Sequence, residues 1–102
     1  MLNLKEGLVK EIVEKIIEEG EVEKIVIFGS SVRDDYSSLS DIDIAIFGAK
    51  NLKVGVLKEK LNEELRTLRN IDIVLFDNLK NEDLKRKILE EGVVIYERGS
   101  SG

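Results

Sequence analysis

Residues 24–47, KIVIFGSSVRDDYSSLSDIDIAIF, contain two short apolar runs separated by a polar segment of small residues. The run at 24–28 is rich in β-branched side chains, which favour strands. The run at 41–47 alternates aspartate with apolar residues, and this period of two is typical of a strand with one buried face. The intervening segment, 29–40, predicts a loop. Two strands joined by this loop therefore form the centre of the predicted fold.

Helical and strand patterns alternate on both sides of this segment. An apolar stripe at every fourth residue predicts a helix from Leu4 to Ile17, with Asn3 as a helix cap and Gly20 as the end. Leucines with similar spacing predict a second helix over 51–68. The remaining patterns predict a strand at 71–76, a helix at 81–91 and a strand at 93–96. The alternation is typical of an α/β (or α+β) domain with a β-sheet flanked by helices.

The composition excludes several classes of function. The chain of 102 residues has no Cys and no His, so it has no disulfides, zinc finger, thiol nucleophile or Ser-His-Asp triad. Its length fits one domain over 1–98, followed by a flexible tail or an expression remnant at 99–102. The formal net charge of −5 argues against direct nucleic-acid binding. Without an apolar run of membrane-spanning length or a signal-peptide profile, we expect a cytoplasmic protein with no membrane association.

The charge is unevenly distributed, because residues 50–71 carry six basic and only three acidic side chains. Two interpretations are open. The stretch is either a solvated helix face or a docking surface for an acidic or phosphate-bearing partner.

Three aspartates are the candidate metal ligands. Asp41 and Asp43 are two residues apart on a predicted strand, so both side chains point to the same face while the isoleucines between and after them point to the core. Asp72 is a lone charge early in an otherwise apolar strand, whereas Asp77 at the end of that strand suits a turn or a helix cap. Neighbouring carboxylates repel each other unless a divalent cation offsets their charge, so the set suits a hard, oxygen-liking metal ion.

A candidate phosphate site follows the first strand directly. Gly29 has no Cβ to block the approach of a ligand to the backbone, and Ser30 adds an N–H and a hydroxyl. Arg33, three residues later, has a guanidinium group that suits phosphate. The same residues would also fit an ordinary strand-to-helix turn.

The strand directions decide whether these residues meet. Gly29 and Ser30 follow the end of the first strand, whereas Asp41, Asp43 and Asp72 open the second and third strands. They converge if the first strand is antiparallel to the second and the second is parallel to the third. A loop allows the first connection and the predicted helix over 51–68 allows the second, so a mixed sheet is expected.

The Gly29-Ser30 pair, ten further residues and then Asp41-Ile42-Asp43, with a separate strand aspartate, resemble the nucleotidyltransferase superfamily that includes DNA polymerase β. The segment GSSVRDDYSSLSDIDIAI is similar to the signature of its minimal, MNT-type members. The resemblance covers roughly residues 22–76 and implies a polymerase β palm-like fold.

The resemblance also implies roles for individual residues. Asp41 and Asp43 match the carboxylates that bind two divalent metal ions, Mg²⁺ or alternatively Mn²⁺. Asp72 matches the third carboxylate, which holds the catalytic metal and helps to activate the attacking hydroxyl. Gly29, Ser30 and Arg33 match the residues that bind the phosphates of ATP or another nucleoside triphosphate. In the family the partner is a HEPN-type toxin, which the MNT protein neutralises as an antitoxin, and an AMP group on that toxin is the implied product.

Two alternatives remain at this stage. Family loops often have Gly after the arginine, whereas this chain has Asp34 and Asp35, so the protein could neutralise a HEPN partner by binding without catalysis. The aspartates could also be fortuitous in a plain α/β domain. The exposed edges of the sheet would allow two copies to pair.

Overall fold

The computed structural model describes residues 6–29, 41–65 and 70–99. In these residues, strands and helices alternate along the chain as the hydrophobic patterns predict. The elements are α1 (Glu6–Glu19), β1 (Lys24–Phe28), β2 (Ile42–Phe47), α2 (Val54–Glu64), β3 (Ile71–Leu75), a 3₁₀ turn (Phe76–Asn78), α3 (Glu82–Glu91) and β4 (Val93–Glu97).

The four strands form one mixed sheet in the order β3-β2-β1-β4. Strand β1 is antiparallel to both β2 and β4, and β2 is parallel to β3. Helix α2 makes the crossover that a parallel pair requires. The strand directions predicted for the first three strands are therefore confirmed, and the mixed sheet flanked by helices is confirmed with them.

The two faces of the sheet carry different helices. One face packs against α1 and α2 through a core that is almost entirely isoleucine and leucine, with Ile12, Ile16, Ile25, Ile27, Ile42, Ile44, Ile46, Leu57, Leu61 and Ile71 all fully buried. Each such side chain contributes about 1.5–3 kcal/mol through burial. The other face carries Val26, Phe28 and Ala45, which pack against Ile88 of α3. The alternation of β2 therefore sends its isoleucines to the α1–α2 face and its aspartates to the α3 face.

The predicted bounds of several elements need correction. Helix α2 begins at Val54 and ends at Glu64 rather than covering 51–68, because Leu65 is already extended, with ψ 136°. The predicted leucine stripe reached Leu68, which lies outside the described residues, as does the Asn3 cap. The third strand ends at Leu75 because Phe76 begins the 3₁₀ turn.

Two polar residues at the ends of elements have clear contacts. The side chain of Asn81 accepts a hydrogen bond from the Leu84 N–H and caps α3. Asp77 lies in the 3₁₀ turn, where its Oδ2 accepts a hydrogen bond from the Gly48 N–H at 2.8 Å. This bond joins the end of β2 to the end of β3, so Asp77 has the turn role expected from its position.

The basic stretch at 50–71 forms ion pairs within the chain. Lys60 lies 3.6 Å from Glu18 and 3.4 Å from Glu19, both on α1. Lys58 lies 3.2 Å from Asp72. These contacts favour the solvated helix face over the docking surface. In the part of the chain that the structure describes, no helix has the length and apolar character needed to cross a bilayer.

Candidate active site

The predicted carboxylates lie together on the α3 face of the sheet. Asp43 and Asp72 are register partners in the parallel β2–β3 pair, so they sit side by side on neighbouring strands. Asp41 directly precedes β2 and has the same parity as Asp43. Asp41 is exposed, whereas Asp43 and Asp72 are partly buried. The structure thus places three acidic side chains at one end of β2 and β3.

Asp43 has the most perturbed electrostatic environment of these residues. Its pKa is raised above the ordinary value of 3.8, first by burial and then by the negative charges of Asp72 and Asp41. Both causes act against the charged carboxylate. A bound cation would offset both effects by stabilising the charged carboxylate, so the environment suits a positively charged ligand at this point.

The backbone of Gly29 packs directly against the Asp43 carboxylate. Gly29 follows β1 and has φ +80°, a conformation that side chains strongly disfavour. A Cβ added at this position would overlap Oδ2 of Asp43. Glycine is therefore required both by the backbone conformation and by the closeness of the carboxylate. Ser30 and Arg33, the other predicted phosphate-binding residues, lie outside the described residues, as do Asp34 and Asp35.

Asp72 has a basic partner that the sequence patterns did not reveal. The Nζ of Lys58 on α2 lies 3.2 Å from Oδ1 of Asp72, and both side chains are about half exposed. The same oxygen accepts a hydrogen bond from the Ile73 N–H at 3.1 Å. Lys58 belonged to the basic stretch noted in the sequence, but nothing in that stretch indicated which lysine reaches the site.

A groove of about 380 Å³ connects the carboxylates to α3. Helix α3 packs on the β1 side of this face, and the groove lies between it and the partly buried residues of β3. Its lining combines acidic, apolar and basic groups: Phe28, Gly29, Asp43, Asp72, Val74, Leu84, Lys87 and Glu91. Lys87 and Glu91 were not predicted, although Leu84, Lys87, Ile88 and Glu91 share one face of α3 by helical spacing. A larger groove of about 570 Å³ lies at the opposite end of β2, around Lys24 and Phe47.

The chemistry of the donors fits a hard divalent cation, since all three candidate ligands are carboxylates. The raised pKa of Asp43 supports this fit, because positive charge is what its surroundings require. Among residues 6–29, 41–65 and 70–99, however, no three acidic groups surround one common point closely enough to hold an ion.

Comparison with known proteins agrees with this geometry. The family model for polymerase beta nucleotidyltransferases matches residues 10–101. A predicted protein adenylyltransferase of Methanocaldococcus jannaschii is 35% identical, with the match covering 76% of this chain and 81% of that protein.

Solved structures of toxin–antitoxin complexes share the fold. One contains a tri-AMPylated Shewanella oneidensis HEPN toxin with its MNT antitoxin, and it matches with a TM-score of 0.72 and 21% identity over 92% of this chain and 73% of that chain. A toxin–antitoxin structure with AMP-PNP matches with a TM-score of 0.71 and 23% identity over 94% and 76% of the two chains. With carboxylates on neighbouring strands, a glycine packed against them and a family match over most of its length, the chain belongs to the polymerase beta nucleotidyltransferase family.

Proposed function

We propose that this nucleotidyltransferase moves the AMP group of ATP to a hydroxyl of a HEPN-type partner protein, and thereby acts as an antitoxin. The observation that carries the proposal is the position of Gly29 against Asp43, with Asp72 beside it on the next strand. A phosphate bound at the Gly29 backbone would lie next to carboxylates able to hold metal. The similarity to a predicted protein adenylyltransferase, and to an MNT antitoxin solved with an AMPylated HEPN toxin, supports the choice of group and acceptor.

The site residues have different roles in the proposed reaction. Asp41, Asp43 and Asp72 would hold two Mg²⁺ ions, which supply positive charge to the reacting phosphate oxygens. Gly29, Ser30 and Arg33 bind the phosphates, and the groove beside α3 receives the remainder of the substrate. The acceptor oxygen attacks the α-phosphorus, a new P–O bond forms and pyrophosphate leaves. Asp72 would help to take the hydroxyl proton. Such chemistry depends on positioning and charge, so it needs neither His nor Cys.

The position of the label in ATP distinguishes this reaction from its alternatives. We expect the protein, Mg²⁺ and a HEPN-type partner protein to give labelled partner from α-labelled ATP and unlabelled partner from γ-labelled ATP. A chelator should stop the transfer, and mass spectrometry should find the mass of one or more AMP groups on the partner. Label from γ-labelled ATP would show phosphoryl transfer instead and would contradict the proposal.

A second candidate function is neutralisation of the partner by binding alone. It is favoured by the ion pair of Lys58 with Asp72, which ties up one of the carboxylates that catalysis would need. A tight complex with the partner, with no label transferred from either form of ATP, would support this alternative.

The stability of the metal-free protein should depend on pH through Asp43. The folded-state pKa of Asp43 lies above its ordinary value, so the folded protein binds this proton more tightly than the unfolded chain does. Protonation of Asp43 therefore stabilises the folded protein at low pH. We expect this stabilisation to be lost as pH rises from about 4 through the raised pKa. Asp43→Asn should remove this pH-dependent loss of stability. Denaturant unfolding across pH 4–8 with a chelator measures it, and parallel curves for the two proteins would contradict the assignment.

A further inference from the structure

Asn62 occupies the free edge of the sheet where β3 begins. Its Oδ1 accepts a hydrogen bond from the Ile71 N–H at 2.9 Å, and its Nδ2 donates to the Ile71 carbonyl at 3.2 Å. Strand β3 is the last strand in the sheet order, so no other strand in the described ranges lies beside these two backbone groups. One amide side chain thus satisfies both groups of Ile71, the residue directly before Asp72.

Lys58 lies one helical turn before Asn62 on the same face of α2. The two residues are linked, because the Asn62 Nδ2 also donates to the Lys58 carbonyl at 2.9 Å. The Lys58 ammonium group lies 3.2 Å from Oδ1 of Asp72. Two residues four apart on α2 therefore hold two consecutive residues of β3, one through the backbone and one through a carboxylate.

The carboxylate held in this way is the one that lies beside Asp43 in the β2–β3 register. Two adjacent carboxylates repel each other, and Lys58 offsets part of that repulsion. Its ammonium sits on a flexible four-carbon chain, so it can leave when a divalent cation takes its place. Asn62 keeps the backbone of β3 in register while this exchange occurs.

The geometry points to Asn62 and Lys58 as positioning residues for Asp72, with Asn62 as the backbone clamp and Lys58 as a counter-ion that a divalent cation displaces. The inference rests on the proposed function, since it assumes that Asp72 is a metal ligand. It predicts effects of opposite sign on metal affinity from two substitutions on the same helix. General destabilisation of the protein would not produce that pair of effects.

Asn62→Ala should weaken Mn²⁺ binding on the order of tenfold, the usual cost of losing a residue that orients a metal ligand. It should also speed hydrogen exchange of the Ile71 amide roughly tenfold, a readout that is independent of metal. Asn81→Ala is the matched control, because Asn81 also accepts a backbone hydrogen bond, but from Leu84 of α3 rather than from β3. The control should leave both Mn²⁺ affinity and Ile71 exchange unchanged.

Lys58→Met should tighten Mn²⁺ binding about two- to fivefold, because it removes the competing charge and retains the apolar stem. Lys60→Met is the matched control on the same helix, since Lys60 pairs with Glu18 and Glu19 of α1 instead. Mn²⁺ alone is titrated into each protein, and the loss of the electron paramagnetic resonance signal of the free ion gives the dissociation constant.

The outcomes separate failure of this inference from failure of the proposed function. Opposite shifts for Asn62→Ala and Lys58→Met, with both controls unchanged, support the inference. If the wild type binds Mn²⁺, Asp43→Asn does not, and the two α2 variants match the wild type, the inference alone is overturned. If Mn²⁺ binds equally to the wild type and Asp43→Asn, or to neither, the metal site is wrong and the inference falls with it.

Discussion

Replacing Asp43 with asparagine should lower the rate of AMP transfer on the order of a thousandfold. This factor corresponds to the several kcal/mol of transition-state stabilisation that a metal ion typically supplies. Asparagine keeps the size of the side chain but removes the negative charge that holds the metal. The metal-free fold should be at least as stable at neutral pH, because burial and the neighbouring Asp72 and Asp41 already disfavour the charged form. Transfer of α-label and denaturant unfolding measure the two effects.

Asp77→Asn is the matched control for this substitution. A carboxylate oxygen of Asp77 accepts a hydrogen bond from the Gly48 N–H, and Asp77 lies at the other end of β3 from Asp72. The asparagine oxygen can still accept that bond, so transfer should stay near the wild-type rate. If Asp43→Asn transferred AMP within a few-fold of the wild type, Asp43 would not be a ligand of the catalytic metal.

Gly29→Ala should damage both stability and activity. Alanine at φ +80° is strained, and its Cβ would overlap the carboxylate oxygen of Asp43. We expect a loss of about 1–3 kcal/mol in the free energy of unfolding. Because a small displacement of a reacting group is costly, we also expect transfer to fall roughly a hundredfold. Denaturant unfolding and the α-label assay at saturating ATP provide the measurements.

Two other glycines separate strain from chemistry. Gly48 also has a positive φ, +63°, and an added Cβ would lie 2.6 Å from the Cγ of Glu23, at the end of β2 away from Asp43. Gly48→Ala should therefore lose stability but keep its activity per folded molecule. Gly55, in α2, has open space around it, so Gly55→Ala should raise the free energy of unfolding by about 0.5–1 kcal/mol. Equal activity losses in Gly29→Ala and Gly48→Ala would contradict a specific role for Gly29.

The local patterns in the chain predicted the fold to a large extent. The period of two in 41–47 placed isoleucines on one face and aspartates on the other, and the structure confirms this division. The two connections permitted the strand directions that would bring the site residues together, and those directions are the observed ones. Asp77 also has the turn contact expected from its position. Each prediction depended on residues that are close in sequence or on the geometry of a single strand.

Lys58 and Asn62 were missed because they act through contacts between different elements. Lys58 and Asp72 meet only because the α2 crossover brings the helix to the edge of β3, and charge counting could not select Lys58 over Lys60. Asn62 pairs with the Ile71 backbone for the same reason. The end of α2 at Glu64 could not be predicted from the sequence either, because the leucine pattern continues past Leu65, where the backbone is already extended.

The sequence by itself therefore determined the elements of this protein, the buried face of its strands and the candidate acidic and phosphate-binding residues. It could do so because side-chain periodicity and local turn chemistry depend on neighbours along the chain. The tertiary structure alone decided which side chains surround those candidates. The raised pKa of Asp43, the contact with Gly29, the counter-ion of Asp72 and the groove beside α3 all arise from elements that meet only after the sheet has formed and the helices have packed on it.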